Sequence, residues 1–167
     1  QGQAVTLYPG TCRLRALPAD TPVPWCWRLN VSAALALTGP LDWEDESGAR
    51  MEADPAALGD AVLARKDAGT SYHLSVVVDD AAQGITDVVR GRDLRDATHL
   101  HRLLQALLGY PTPRYHHHRL VVGHDGERLA KRKGAPTLAA LRDSGVDPAD
   151  LIENMRHGRF PVGFGLE

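Results

Sequence analysis

A chain of 167 residues with 19 Lys and Arg against 21 Asp and Glu carries a net charge of −2. It therefore lacks the global positive field of a nucleic-acid binder, and any RNA contact has to be local. Two cysteines, Cys12 and Cys26, are too few for a disulfide scaffold and leave a reduced, cytoplasmic chain as the expectation; no apolar run reaches bilayer length, so no membrane partner is expected.

The first residue is Gln1, which suggests a processed or truncated piece. Residues 1–24 are rich in Pro, Gly and Thr and read as irregular, with Tyr8-Pro9-Gly10-Thr11-Cys12 as the one chemically interesting stretch. Trp25 to Leu29 has strand composition, and Leu35 to Leu37, stopped by Gly39-Pro40, reads as a second short strand. Leu41 to Asp54 holds six acidic residues around Trp43, the pattern of a solvated hairpin or of a surface that repels nucleic acid. Asp60 to Ala64 predicts a short strand. Tyr72 to Asp80 is ambiguous: its valines favour a strand, while Tyr72, Val76 and Asp79 could share one helical face.

Ile85 to Gly91 is β-branched and bounded by glycines, a strand that delivers Arg90 at its carboxyl end, where open α/β sheets place ligand groups. Leu100, Leu103, Leu104, Leu107 and Leu108 then recur at helical spacing, with Asp96 or Thr98 as cap and Gly109 as stop. Tyr115 to Val122 reads as the next strand, completing a βαβ unit for which a parallel crossover is expected. Short helices are predicted from Thr137 to about Gly145 and from Asp147 to about Arg156 with Gly158 as stop, and the tail, Phe160 to Glu167, is expected to be disordered.

The basic stretch Gly126 to Gly134 packs four cations between two glycines after the apolar Leu120 to Val122. Glycine admits close backbone approach, and Lys and Arg supply donors suited to phosphate oxygens. A solvated charged turn has the same composition. His116-His117-His118 alternates across a strand, so at most His116 and His118 share a face, an incomplete metal site; His117 is the residue expected to face a pocket. His73, His99, His101, His124 and His157 have no partners at recognisable spacing and read as surface or cap residues. Asp79 and Asp80 diverge on either kind of element, which argues against a paired-carboxylate site. There is no P-loop, no dinucleotide fingerprint and no nucleophile elbow.

Taken in order, Tyr72 to Asp80, Gly84 to Leu94, Leu104 to Tyr115 and Arg128-Leu129-Ala130-Lys131-Arg132 resemble the second half of the class I glutamyl-tRNA synthetase catalytic domain. The last piece is similar to the KMSKS loop in its glutamyl variant. Arg90-Gly91-Arg92-Asp93-Leu94 and the early end at Glu167 resemble the branch whose glutamate acceptor is the queuosine base of tRNA(Asp); the alternative is a standard enzyme charging tRNA acceptor ends. The resemblance implies an α/β fold, the second half of a Rossmann-type catalytic domain. Within it, 1–24 would be a remnant of a zinc-binding segment, 25–59 part of an inserted acceptor-binding subdomain, 60–157 the catalytic half with its loop at 128–132, and 158–167 a tail.

It also implies ATP with Mg²⁺, glutamate and queuosine-bearing tRNA(Asp) as ligands. Tyr72 and Arg90 match glutamate-binding positions, and Lys131 matches the catalytic lysine that stabilises charge on the ATP phosphates. Arg128, Leu129, Ala130 and His117 match positions near ATP, with Arg128 in place of a lysine and Ala130 in place of a serine. Tyr8 and Cys12 match half of a zinc site. The family's HIGH motif and its glutamate-gripping Arg and Ser have no counterpart here, so the chain is expected to need a missing N-terminal half of the catalytic domain, and alone to be inactive or only an RNA-binding piece.

Overall fold

The computed structural model describes residues 7–13, 25–129, 137–161 and 164–167. It falls into two units, Gln1–His117 and His118–Glu167.

In the first unit, β1 (Cys26–Arg28) pairs antiparallel with β4 (Val62–Arg65), and β2 (Asp42–Glu44) with β3 (Arg50–Glu52). The acidic stretch is thus a hairpin, with Trp43 as its buried residue at 2% exposure. Leu35 to Leu37 is not a strand. It lies in helix α1 (Val31–Thr38), where Asn30 caps the start through a 3.1 Å bond from the Ala33 amide and Gly39, at φ 69°, ends it. The alanines among those leucines favour helix, and the cap at Asn30 decides the register.

Helix α2 (Tyr72–Ala82) resolves the second ambiguity, with Ser71 accepting from Leu74 N at its cap. The valines here are tolerated because Val77 is fully buried against α3 (Ala97–Leu108). Helix α3 connects β5 (Asp87–Gly91) to β6 (Arg114–His118), which pair in one sheet. Arg114 N donates to Thr86 O at the start of both strands and Arg90 meets His117 near their ends, so the two run in the same direction. The hairpin joins this sheet through a parallel bridge between Asp45 and Tyr115.

The core of this unit is built on α3. Leu103 packs against Val31 and Ala34 of α1, while Leu100 and Leu104 pack against Val77. Each of these leucines removed from water contributes about 1.5–3 kcal/mol. A third line on the same helix, Thr98, His101 and Gln105, is equally buried but polar, and it faces residues of β5 and β6. Asp96 stands at the cap position without a side-chain cap bond, and Gly109, at φ 68°, supplies the left-handed stop.

In the second unit, the predicted strand running to Val122 breaks after β6: His118 Nδ1 bonds to Arg119 O, and the chain resumes as β7 (Val121–Gly123). The tail is not disordered where it is described. Phe164–Leu166 forms β8, antiparallel to β7, with Val121 opposite Leu166 and Gly123 opposite Phe164. Arg119 Nε fixes the end by donating to Glu167 O at 2.6 Å. Helices α4 (Leu138–Asp143) and α5 (Pro148–Arg156) start at Thr137 and Asp147 as predicted, each cap side chain accepting from a first-turn amide.

Candidate functional site

Arg90 leaves the end of β5 and its guanidinium is held on three sides. Nη2 donates to Thr98 Oγ1 at 2.6 Å, Nη1 lies 3.1 Å from His101 Nδ1, and Nε donates to His117 Nε2 at 3.3 Å. The ring of Tyr115 lies beneath, 5.1 Å from the guanidinium carbon. Tyr115 and His117, two residues apart on β6, point to the same face and stack with 3° between their planes. His117 therefore faces inward as the alternation of the strand requires. His116 turns away to Asp87, 2.8 Å off.

Behind His101 stands His73, with its Nδ1 3.0 Å from His101 Nε2. Tyr72, the first residue of α2, sets its ring edge against both, at 5.6 and 5.9 Å. Tyr72 is half exposed and, with His73, borders a cleft of about 750 Å³ whose other walls include Tyr8, Arg28, Asp60 and Arg65. Arg28 lies over the Tyr8 ring at 4.5 Å and donates to Asp60 O.

Electrostatics follow from that arrangement. Burial first, then the Arg90 charge, pulls His101 down to about 3; the same two causes bring His117 to about 4 and lower His73. All three imidazoles are neutral at pH 7, so Arg90 is the positive charge at the centre of the group. Burial raises Asp80 on α2, with Arg90 acting against the rise. Trp43 Nε1, Gln105 Oε1 and His117 Nδ1 are buried without a partner among the described residues. Trp43 and His117 touch edge to face, 5.8 Å between ring centres.

The structure thus brings together Tyr72, Arg90 and His117 from three separate elements. Two residues read from sequence as surface or cap positions, His73 and His101, belong to the same cluster, and His101 is 1% exposed. Thr98, read as a possible helix cap, bonds to Arg90 instead. The signal for these was present in the sequence: Thr98, His101 and Gln105 fall at i, i+3 and i+7, a polar line beside the leucine line of one helix.

Arg128 and Leu129 follow a tight turn in the second unit. Gly126 N donates to Gly123 O, Glu127 N to Asp125 Oδ1, and Leu129 N to Val121 O. Ala130 and Lys131 lie outside the described residues. Tyr8 Oη accepts from Cys12 N at 2.6 Å, which brings the two potential ligands near each other. Two donors are half of a tetrahedral zinc site, and among the described residues no group of three His, Cys, Asp or Glu is placed to hold a metal. The residues described do not fit a complete zinc centre. No described helix is long and apolar enough to cross a membrane.

A strand, helix, strand unit with its two strands parallel is the building block of the doubly wound α/β class, which places ligand groups at the carboxyl ends of its strands. Residues 26–162 match the family of class I tRNA synthetases (E and Q), catalytic domain, and the chain belongs to that family. It is 47% identical over 154 residues to a glutamyl-Q tRNA(Asp) synthetase of Rhodobacter capsulatus, covering 87% of this chain and 54% of that protein. It is 39% identical over 156 residues to one of Deinococcus radiodurans, covering 90% and 50%. The chain therefore spans about half the length of the curated relatives it matches. A crystal structure of glutamate-tRNA synthetase from Elizabethkingia anophelis superposes with a TM-score of 0.51 at 24% identity, covering 87% of this chain and 31% of that one. The fold is that of the class I catalytic domain.

Proposed function

We propose that the chain contributes part of a site that activates glutamate with ATP and Mg²⁺ and passes it to the queuosine base of tRNA(Asp). The observation that carries this reading is Arg90. Arginine has five N–H donors; His117, His101 and Thr98 take three, one on each nitrogen, and Nη1 and Nη2 each keep one. A guanidinium held on three sides with donors left on two nitrogens can pair with a carboxylate. Tyr72 packs edge-on against His101, the residue that holds Arg90 Nη1.

In this reading Lys131 stabilises charge on the ATP phosphates as the glutamate carboxylate attacks the α-phosphorus, displacing pyrophosphate. Arg128, Leu129, Ala130 and His117 contact ATP, and Arg128 keeps positive charge in a planar form. The hairpin within 25–59 belongs to the acceptor-binding part, 60–157 to the catalytic half. The first half of the catalytic domain completes the site. No step is assigned to zinc. The relatives' shared name, glutamyl-Q tRNA(Asp) synthetase, supports the choice of acceptor.

The test is glutamate-dependent ATP–pyrophosphate exchange by the full-length polypeptide, with and without Lys131→Ala, followed by glutamate transfer to two tRNAs. Exchange should fall at least about 100-fold in the variant, and transfer should go to queuosine-bearing tRNA(Asp). Transfer to the acceptor end of tRNA(Glu) alone would assign the chain to a standard glutamyl-tRNA synthetase. RNA binding without any exchange would assign it a non-catalytic role.

A further inference from the structure

The contacts around Arg90 fix more than its position. A guanidinium can only donate. His101 Nδ1, at 3.1 Å from Arg90 Nη1, must therefore be the bare nitrogen, which puts the His101 proton on Nε2. That proton points at His73 Nδ1, 3.0 Å away, which must in turn be bare, so the His73 proton is on Nε2. On the other side, Arg90 Nε requires His117 Nε2 to be bare, so its proton is on Nδ1. Three imidazoles thus have one permitted tautomer each, all dictated by a single cation.

We propose that His101 is a positioning residue that holds the Arg90 guanidinium at the angle needed for a carboxylate, and that it does so only as the Nε2–H tautomer relayed to His73. A second proton on His101 would turn its Nδ1 from acceptor to donor, facing Arg90 donor to donor and charge to charge. A proton on His73 Nδ1 would meet the His101 Nε2–H in the same way. The chain has no place to store a proton without breaking a bond. The groups around this pair are Arg90 on β5, Tyr72 on α2, Thr98 on α3, and Tyr115 and His117 on β6, while Asp60, Asp93 and Asp96 line the cleft that His73 borders and Asp80 on α2 interacts with Arg90. Among the described residues no carboxylate is bonded to either imidazole, so none takes up the proton's charge at the bond that would break. The lowered values of His101 and His73 agree with the geometry.

The tautomer chain stands on the contacts alone, whereas its effect on substrate rests on the proposed glutamate site. The experiment separates the two. Long-range ¹H–¹⁵N spectra of the full-length polypeptide should show Nε2–H for His101 and His73 and Nδ1–H for His117 at pH 7.5, with His101 unprotonated at pH 5. A proton on His101 Nδ1 at pH 7.5, or titration of His101 near its ordinary value, would overturn the proposal. In glutamate activation, His101→Asn keeps an acceptor at the Nδ1 position, while His101→Gln keeps a polar group only toward His73. The Gln variant should raise KM for glutamate about tenfold or more with kcat within about threefold. The Asn variant should recover most of that loss. Equal KM values for the two would remove the positioning role. Wild-type protein that shows the tautomers but ignores glutamate would sink the glutamate reading and leave the tautomer chain standing.

Discussion

Replacing Thr98 by valine probes the centre of the site with almost no change of shape. Thr98 is fully buried, and its hydroxyl accepts from Arg90 Nη2 at 2.6 Å while lying 3.2 Å from His117 Nε2. Valine leaves the guanidinium N–H facing a methyl group. A hydrogen bond to a charged group contributes roughly 1.5–3 kcal/mol, and the unmet donor adds to the loss. Arg90 is half-buried, so water reaches part of it, and the lower half of the range applies: about 2 kcal/mol. For a protein of this size that lowers the melting temperature by about 4–8 °C. Thr98→Ser, which keeps the hydroxyl and loses one methyl, should cost about 1 kcal/mol or less. Denaturant unfolding of wild type and both variants measures the series, and glutamate KM measured beside it should rise for valine more than for serine. A valine variant as stable as wild type, or a serine variant weaker than valine, would refute the reasoning, because the bond rather than the packing would then contribute nothing.

Acid should weaken the fold from just below neutrality. Unfolded histidine takes up a proton near 6.5, whereas folded His101 does so only near 3. Stability from this group is therefore complete above about pH 6.5 and is lost as pH falls toward 3. At pH 5 the loss is about 2 kcal/mol from His101, with His73 and His117 adding in the same direction. Unfolding midpoints that stay level from pH 7 to 5 would contradict this. Asp60 is 7% exposed; one carboxylate oxygen accepts from the buried Val31 amide and the other from Arg13 at 2.7 Å. Asp60→Ala should cost about 2–3 kcal/mol by stranding that amide, read as a drop in the denaturation midpoint. Gly109 sits at φ 68° with open space around its missing Cβ, so Gly109→Ala should cost about 1 kcal/mol through backbone strain alone; a neutral thermal melt would show that the turn relaxes.

Much of this arrangement could be read from the chain before any coordinates. The leucine spacing of α3 and its stop at Gly109, the inward turn of His117, and Arg90 at a strand end are local patterns, and each was realised. The failures have physical causes. Leu35 to Leu37 is apolar in any conformation, and only the Asn30 cap upstream marks it as helix. The last strand depends on β7, more than forty positions earlier, a pairing that no short window contains. His73 and His101 lie 28 residues apart, and each alone has no distinguishing neighbour. They acquire meaning only when α2 and α3 pack together and Arg90 arrives from β5.

That packing leaves α3 with almost no idle surface. Its leucines serve two neighbouring helices, its polar line serves Arg90 and Tyr115, Arg102 reaches back to Asp42 O, and His99 packs on Trp43 and accepts from Asp54 N. Ala97, Ala106 and the exposed Leu108 are the positions with the least to hold. A random library over residues 97–108 should return survivors that differ chiefly at those three places, which makes this one helix a compact fingerprint for the site it supports.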